Sequence, residues 1–570
     1  MQVAEITRDE TTQRAALLGV RSYDVELDLT GGPETFRSTS VIAFDCAQPG
    51  AASYADLVAG RIHEITLNGV PLDPAAVYAR GRIALTGLAA RNELRVVADC
   101  AYASDGSGLI RSQDSADGRV YLSTQFEVAG ARKVFTCFEQ PDLKAEFTFH
   151  VGVPGSWIVL SNQPAPQPEP AGDGRAVWHF PATPRISTYL TAVVAGEYYL
   201  VADSHTTPSG QVIPLSLACR RSLAEFLEPD EMFSITRAGL DYYTGLFGMD
   251  YPFAKYDQVF VTDSAGAMEN PGCVTISEQM LFRSKVTDTM RELRAEIVLH
   301  EMAHMWFGDL VTMKWWDDLW LNESFAEMCA SQSSAEATRF ADAWTTFCGG
   351  RKTWGYTQDQ QPSTHPIAAD APTLSVAEAN FDGISYAKGA SVLKQLVAYL
   401  GRDNFFAGIR AYLAGHAWAT PLWPTCCGRW RQAPARPWAS GRRAGCRPRG
   451  RTHCGASSRP TTQATSPSSR CGRRRRPSTR RSGRTTSRSD CTTGTATARW
   501  CARIGSRPGW PECGRRCRTS SACRGQTCCC STMTISATRS SGSMSARWPP
   551  WPPPSEPSAM GWRGPSAGAR

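Results

Sequence analysis

After about Thr420 the chain stops using the residues from which cores are built. Residues 421–570 hold no Lys, Val, Phe, Tyr or Asn and a single Leu, Leu422. A segment so poor in apolar side chains cannot bury enough surface to offset the entropy of ordering it. It holds 29 Arg against three acids, Asp490, Glu512 and Glu556, which leaves 32 basic and 50 acidic residues upstream. The net charge of +8 for the whole chain therefore describes neither part. Residues 421–570 read as a disordered Arg/Pro/Ser/Cys-rich tail joined to an acidic region that can fold. Two accounts of the tail compete. One is a basic extension for nucleic acid, densest at RRRRPSTRRSGR over 473–484. The other, preferred here, is out-of-frame translation of GC-rich DNA. Back-translated with suitable codons and read from the third nucleotide, TPLWPTCCGRWR can give ATLADLLRALE, the pattern of an amphipathic helix. The tail's Cys513, Cys517, Cys523 and Cys528 to Cys530 are too irregularly spaced to suit a metal site.

Within the foldable region, residues 300 to 323 read HEMAHMWFGDLVTMKWWDDLWLNE. His300 and His304 stand one helical turn apart on the same face and can turn both imidazoles towards one ion. Glu301 then projects beside that ion. The preceding run TDTMRELRAEIVL sets Leu293 and Ile297 in register with the histidines, which predicts one buried helix face, and Thr287 and Asp288 suit its start. The plainer alternative, two core histidines bonded to carbonyls, leaves a costly carboxylate between them without a purpose. A catalytic zinc takes three protein ligands and keeps a position open. Glu323 is the preferred third ligand, in the helix-forming run LNESFAEM that could fold back antiparallel to the first helix. Asp309, Asp317 and Asp318 are the competitors, expected in the connecting turn. Zinc with a neighbouring carboxylate can activate water and shuttle its proton, so metal-assisted hydrolysis is the predicted chemistry.

These residues resemble the aminopeptidase N family of gluzincin peptidases: HEMAH, eighteen residues, then Glu323 in WLNESFAE. Three further segments match in order, TQFEVAGARKVFTCFEQPDLKAEFTF from Thr124, GAMEN at 266–270 and YAKGASVL from Tyr386. The resemblance runs from residue 1 to about 420. It implies one Zn2+ held by His300, His304 and Glu323, with Glu301 as general base and Tyr386 donating to the carbonyl oxygen as charge develops there. It also implies that Glu269 and Glu127 bind a free amino terminus, a cation that must be paired once desolvated. The backbone of Gly266 and Ala267 would pair with an extended substrate, Gln125 and Met268 would line the first side-chain pocket, and Asn270 completes the substrate-binding segment. Without the resemblance, Tyr386 would read as a core tyrosine and Glu127 as an exposed strand residue. Members of the family carry a large helical carboxy-terminal domain, which nothing after residue 420 could build. Two other functions are carried forward. One is an epoxide hydrolase of the related leukotriene-processing branch, disfavoured because its GAMEN equivalent usually begins Gly-Gly. The other is an inactive truncated protein with a basic nucleic-acid-binding tail.

The expected fold is α+β and multidomain. Residues 1–196 read as a β-rich domain, because SYDVELDLT sets Val25, Leu27 and Leu29 against Asp24, Glu26 and Asp28, with similar runs at EFTFHVGV, SWIVLSN and RISTYLTAVVAGEYYLV. Residues 197–420 read as a mostly helical metalloprotease domain, possibly incomplete. The resemblance implies that the first is saddle-like and the second thermolysin-like. The start of the chain lacks the apolar stretch of a signal peptide and nothing approaches a membrane span. Cys46, Cys100, Cys137, Cys219, Cys273, Cys329 and Cys348 are scattered without paired spacing, which suits reduced thiols in the cytoplasm. The expected partners are peptides with a free amino terminus, acted on by a monomer, with no membrane and no nucleic acid unless the basic tail is genuine.

Overall fold

The computed structural model describes residues 3–262, 264 and 266–421. The tail's predicted disorder and its possible shift of reading frame thus fall, from residue 422 on, outside the described residues. Leu18–Asp28 lies within an eight-stranded sheet, antiparallel to Thr35–Cys46 on one side and parallel to Glu146–Pro154 on the other. Val25, Leu27 and Leu29 are buried while Asp24 and Glu26 face solvent, so the two-residue period is expressed. The register slips between Val20 and Ser22. This irregularity brings Tyr23 inward, where its ring stacks on Phe147 at 4.6 Å and its hydroxyl accepts from the Phe138 amide.

The run RISTYLTAVVAGEYYLV does not form one strand. It gives a 3₁₀ turn at Thr188–Leu190, a short strand at Val193–Gly196 and the first strand of another sheet, Tyr199–Thr206. From Ile186 to Ala195 every residue is buried, so alternation has no solvent side to express. Ser187 and Thr191 donate their hydroxyls to the carbonyls of Pro141 and Thr188, which supports the turn in place of a ladder. Val193–Gly196 joins a four-stranded sheet beside Val120–Gln125, and this second strand ends where Phe126 and Glu127 begin.

A five-stranded sheet runs in the order Tyr199–Thr206, Val212–Cys219, Tyr256–Val261, Cys273–Ser277, Ala267–Met268, so the last pair of residues is an edge. Helices pack around it. The histidine helix, Asp288–His304, begins at Thr287, whose side chain accepts from the Met290 amide. Its buried face differs from the predicted one: Leu293 and Ile297 are only half-buried, and Ala295, Val298, Leu299 and Met302 fill the core. The histidine face meets the buried polar group of Glu269, Glu301 and Glu323 instead of the apolar core, so the two faces of this helix are adjacent and not the same. The glutamate helix, Trp320–Ala337, runs antiparallel to it. His300 and His304 at the end of the first helix meet Glu323 at the start of the second, while Asp288 meets Arg339 just past the second's end.

The amino-terminal sheets and the helical region are tied at several points. Arg8 pairs with Asp317 at 2.9 Å, and Asn162 donates to the carbonyls of Leu190 and Pro271. The buried Lys144 ammonium donates to the carbonyls of Asp309 and Leu310, and burial draws its pKa down to about 7. Gly272, at a φ of +76°, lets the segment after GAMEN press against Asn162, since a Cβ there would stand 2.2 Å from the Asn162 carbonyl oxygen. Among the described residues no helix is long and apolar enough to cross a membrane.

Candidate active site

The antiparallel pair of helices brings three donor atoms together. His300 Nε2 and His304 Nε2 are 3.1 Å apart, and Glu323 Oε2 lies 3.3 Å from the first and 3.5 Å from the second. A tetrahedral zinc with bonds of about 2.0–2.1 Å sets its ligand atoms about 3.3–3.4 Å apart. The triangle therefore has the edge lengths of such a centre with one vertex left over. The ring orientations agree with that use. His304 Nδ1 faces the Phe307 carbonyl at 2.9 Å, so it carries the proton and leaves a lone pair on Nε2. His300 Nδ1 faces Glu327 Oε2 at 3.6 Å. Asp317 is bonded instead to Arg8 and the Ala371 amide, and Asp318 belongs to a 3₁₀ turn, which places both in the connection as expected. Asp309 is fully buried, but it does not join the three-atom group.

Carboxylates crowd this centre. Ligand atoms of Glu269, Glu301 and His304 lie within 4.8 Å of one another, and so do those of Glu127, Glu269 and Glu323. Burial pushes Glu301 and Glu127 well above the ordinary carboxylate range, and Glu269 adds to both shifts. Burial also raises Glu269. Burial would raise Glu323 as well, but the charge of His304 and the bonds from both histidines outweigh it and hold the group at about 2. Burial lowers His304, yet Glu269 and Glu323 more than reverse it, so before a cation enters the triangle the ring itself is drawn towards the imidazolium form, and a bound ion would take the place of that second proton on Nε2. So much buried negative charge calls for cations, and two positions offer themselves: the three-atom triangle, and the space against Glu127 and Glu269. One oxygen of each of those two glutamates, and the Asn270 amide nitrogen, are buried without a hydrogen-bond partner.

The remaining predicted residues surround this space. Tyr386 is 7 % exposed, and its ring lies parallel to that of His300 with centroids 5.9 Å apart. Burial raises its pKa well above the ordinary value, and Glu323 adds to this, so the phenol stays a neutral donor. It sits in a five-residue π-helical turn, Ile384–Lys388. Gly389, next along, packs against Ser324, where a Cβ would come within 1.9 Å of the Ser324 hydroxyl. Ser324 in turn donates to the Ser385 carbonyl at 2.6 Å, which ties the Tyr386 turn to the helix of Glu323. Glu127 is not an exposed strand residue: it is half-buried in a turn past the strand end. Gln125 Nε2 lies 3.7 Å from Met268 Sδ across the same opening. Gly266 leads into the sheet's edge strand, Ala267–Met268, which pairs on one side with Cys273–Ser277.

Sequence reasoning missed Glu327, Arg351, Ser324 and Gly389. Glu327 had a usable signal, since it stands one turn after Glu323 and so shares its face. Arg351 had none, because its approach depends on how a separate helix, Arg351–Asp359, packs.

Residues 232–421 match the peptidase family M1 domain, and residues 21–190 match the peptidase M1 N-terminal domain. Among curated proteins, the chain is 54% identical over 423 residues to "Aminopeptidase N" of Streptomyces lividans, covering 73% of this chain and 49% of that protein. It is 37% identical over 299 residues to "Probable aminopeptidase 2" of Sulfurisphaera tokodaii, covering 52% of this chain and 37% of the relative. It is 31% identical over 403 residues to "Aminopeptidase M1-A" of Oryza sativa subsp. japonica, covering 70% and 44%. The chain thus spans about half, or less, of the length of the curated relatives it matches.

Proposed function

This chain belongs to peptidase family M1, and from that premise we propose that it is a zinc-dependent aminopeptidase that removes amino-terminal residues from peptides. One observation carries the reading: a three-atom triangle of zinc-ligand dimensions stands beside Glu269 and Glu127, each of which has one buried carboxylate oxygen without a hydrogen-bond partner. His300, His304 and Glu323 would hold the ion. When bound, zinc supplies Lewis acidity, which polarises a carbonyl and makes a water acidic enough to attack near neutral pH.

The chain's own groups perform the rest. Glu301 takes the proton of the attacking water and returns it to the leaving amine. The Tyr386 hydroxyl donates to the carbonyl oxygen as negative charge builds on it. Glu269 and Glu127 accept from the substrate's ammonium group, and this fixes the scissile bond one residue from the end. The edge strand Ala267–Met268 pairs with the extended peptide, while Gln125 and Met268 border its first side chain. Asn270 lies in the same segment and offers an amide nitrogen to the bound peptide. All these groups come from one chain, so a monomer suffices. The seven free thiols among the described residues, six of them buried, fit a reducing compartment, and we assign the protein to the cytoplasm.

The test compares an aminoacyl anilide with its amino-blocked form. Glu269→Gln is expected to raise KM for the free amine far more than it changes kcat. It leaves the slow reaction with the blocked compound unaltered. Equal losses on both substrates would contradict the assignment of Glu269 to the ammonium group.

A further inference from the structure

We infer that Glu327 and Arg351 form a positioning pair that orients the His300 imidazole and, through the same guanidinium, the Tyr386 ring. The inference rests on the reading of His300 as a zinc ligand. Glu327 is 5 % exposed and lies one turn beyond Glu323 on the same helix. Its two oxygens receive the Arg351 fork, with Nε at 2.5 Å and Nη2 at 2.7 Å. Such a bidentate pair fixes the carboxylate plane as well as its place. Held so, Glu327 Oε2 faces His300 Nδ1 at 3.6 Å, the nitrogen opposite the one in the triangle. The carboxylate's charge favours a proton on Nδ1 and leaves the Nε2 lone pair for the ion.

Arg351 does not stop at Glu327. Its guanidinium carbon lies 4.7 Å from the Trp354 ring centroid and 5.9 Å from that of Tyr386. Tyr386 in turn stacks parallel to His300. His300, Glu327, Arg351 and Tyr386 therefore close a loop in which each group limits the next. The two histidines are thus held by different means: His304 by the Phe307 carbonyl of its own turn, His300 by a carboxylate whose position is set by a neighbouring helix. A pair that served only to join two helices would need the bidentate contact. It would not need Glu327 to face Nδ1 or Arg351 to face the phenol ring.

The experiment uses the full chain, stripped of metal, with Glu327→Gln and Arg351→Lys variants. Zinc dissociation constants are measured by competition with a fluorescent chelator, beside the melting temperature of each metal-free protein and the visible spectrum of each cobalt-loaded one. If the unmodified chain does not bind one zinc, both this inference and the proposed function fail. If it does, Glu327→Gln is expected to weaken zinc by about 10- to 100-fold, with the metal-free melting temperature unchanged and the cobalt bands shifted. Arg351→Lys keeps the charge but loses the fork, and is expected to weaken zinc less and lower kcat with KM unaltered. Zinc constants indistinguishable from the unmodified chain's would overturn the inference while leaving the proposed function standing. So would a loss of affinity matched by a fall in the metal-free melting temperature.

Discussion

Replacing Glu301 with Gln is expected to leave one zinc bound per chain and to cut turnover by about 10²- to 10⁴-fold. The substitution keeps the side chain's volume and one acceptor oxygen, and Glu301 is not one of the three atoms in the triangle. What disappears is the capacity to take a proton from water. Burial and the charges of Glu269 and Glu323 make the Glu301 carboxylate a stronger base than an exposed one, partly offset by His304. That shift raises its driving force for proton abstraction. Zinc content by metal analysis and kcat on an aminoacyl anilide decide the matter. Retained turnover at unchanged zinc content would remove Glu301 from the role of base.

Replacing Glu323 with Ala is expected to cost both zinc and turnover. Glu323 is the only anion in the triangle and is 2 % exposed, so nothing from outside can readily take its place. Its loss leaves the two imidazoles without the carboxylate that approaches both of their Nε2 atoms, at 3.3 and 3.5 Å. The fall in zinc affinity should exceed the about 10- to 100-fold that outer hydrogen-bond partners command. The effect on Glu301→Gln and the effect on Glu323→Ala are distinguishable, because the first variant keeps its metal and the second does not. A Glu323→Ala protein that retains one tightly held zinc would point to Asp309 or Glu269 as the third ligand.

Spacing along the chain was enough to read the local part of this site. Two histidines four apart and a capped helix follow from the 3.6-residue period, and alternation around Val25 and Leu27 follows from the two-residue period. Where burial was complete on all sides, the periods lost their meaning. Ile186 to Ala195 reads as a strand in sequence but divides into a turn and a strand, because no residue there faces water. The buried apolar face of the histidine helix is not legible from the histidine register for a related reason: the histidine face is buried against carboxylates, and the apolar core face of Ala295, Val298, Leu299 and Met302 lies beside it. Bringing Glu127, Glu269 and Tyr386 to one place needs three separate elements, and no period within any of them encodes that meeting. Gly389 against Ser324 and Gly272 against Asn162 are what permit the close approaches, and a glycine in a sequence does not say which neighbour it admits.

If His300, His304 and Glu323 hold one zinc ion together, anomalous diffraction at the zinc edge from crystals of the metal-loaded chain will locate it. A single strong peak is expected at about 2.0–2.2 Å from both histidine Nε2 atoms and a Glu323 oxygen, with the fourth position open towards Glu301. A peak elsewhere, or one bound by the histidines with the Glu323 carboxylate turned away, would contradict that assignment.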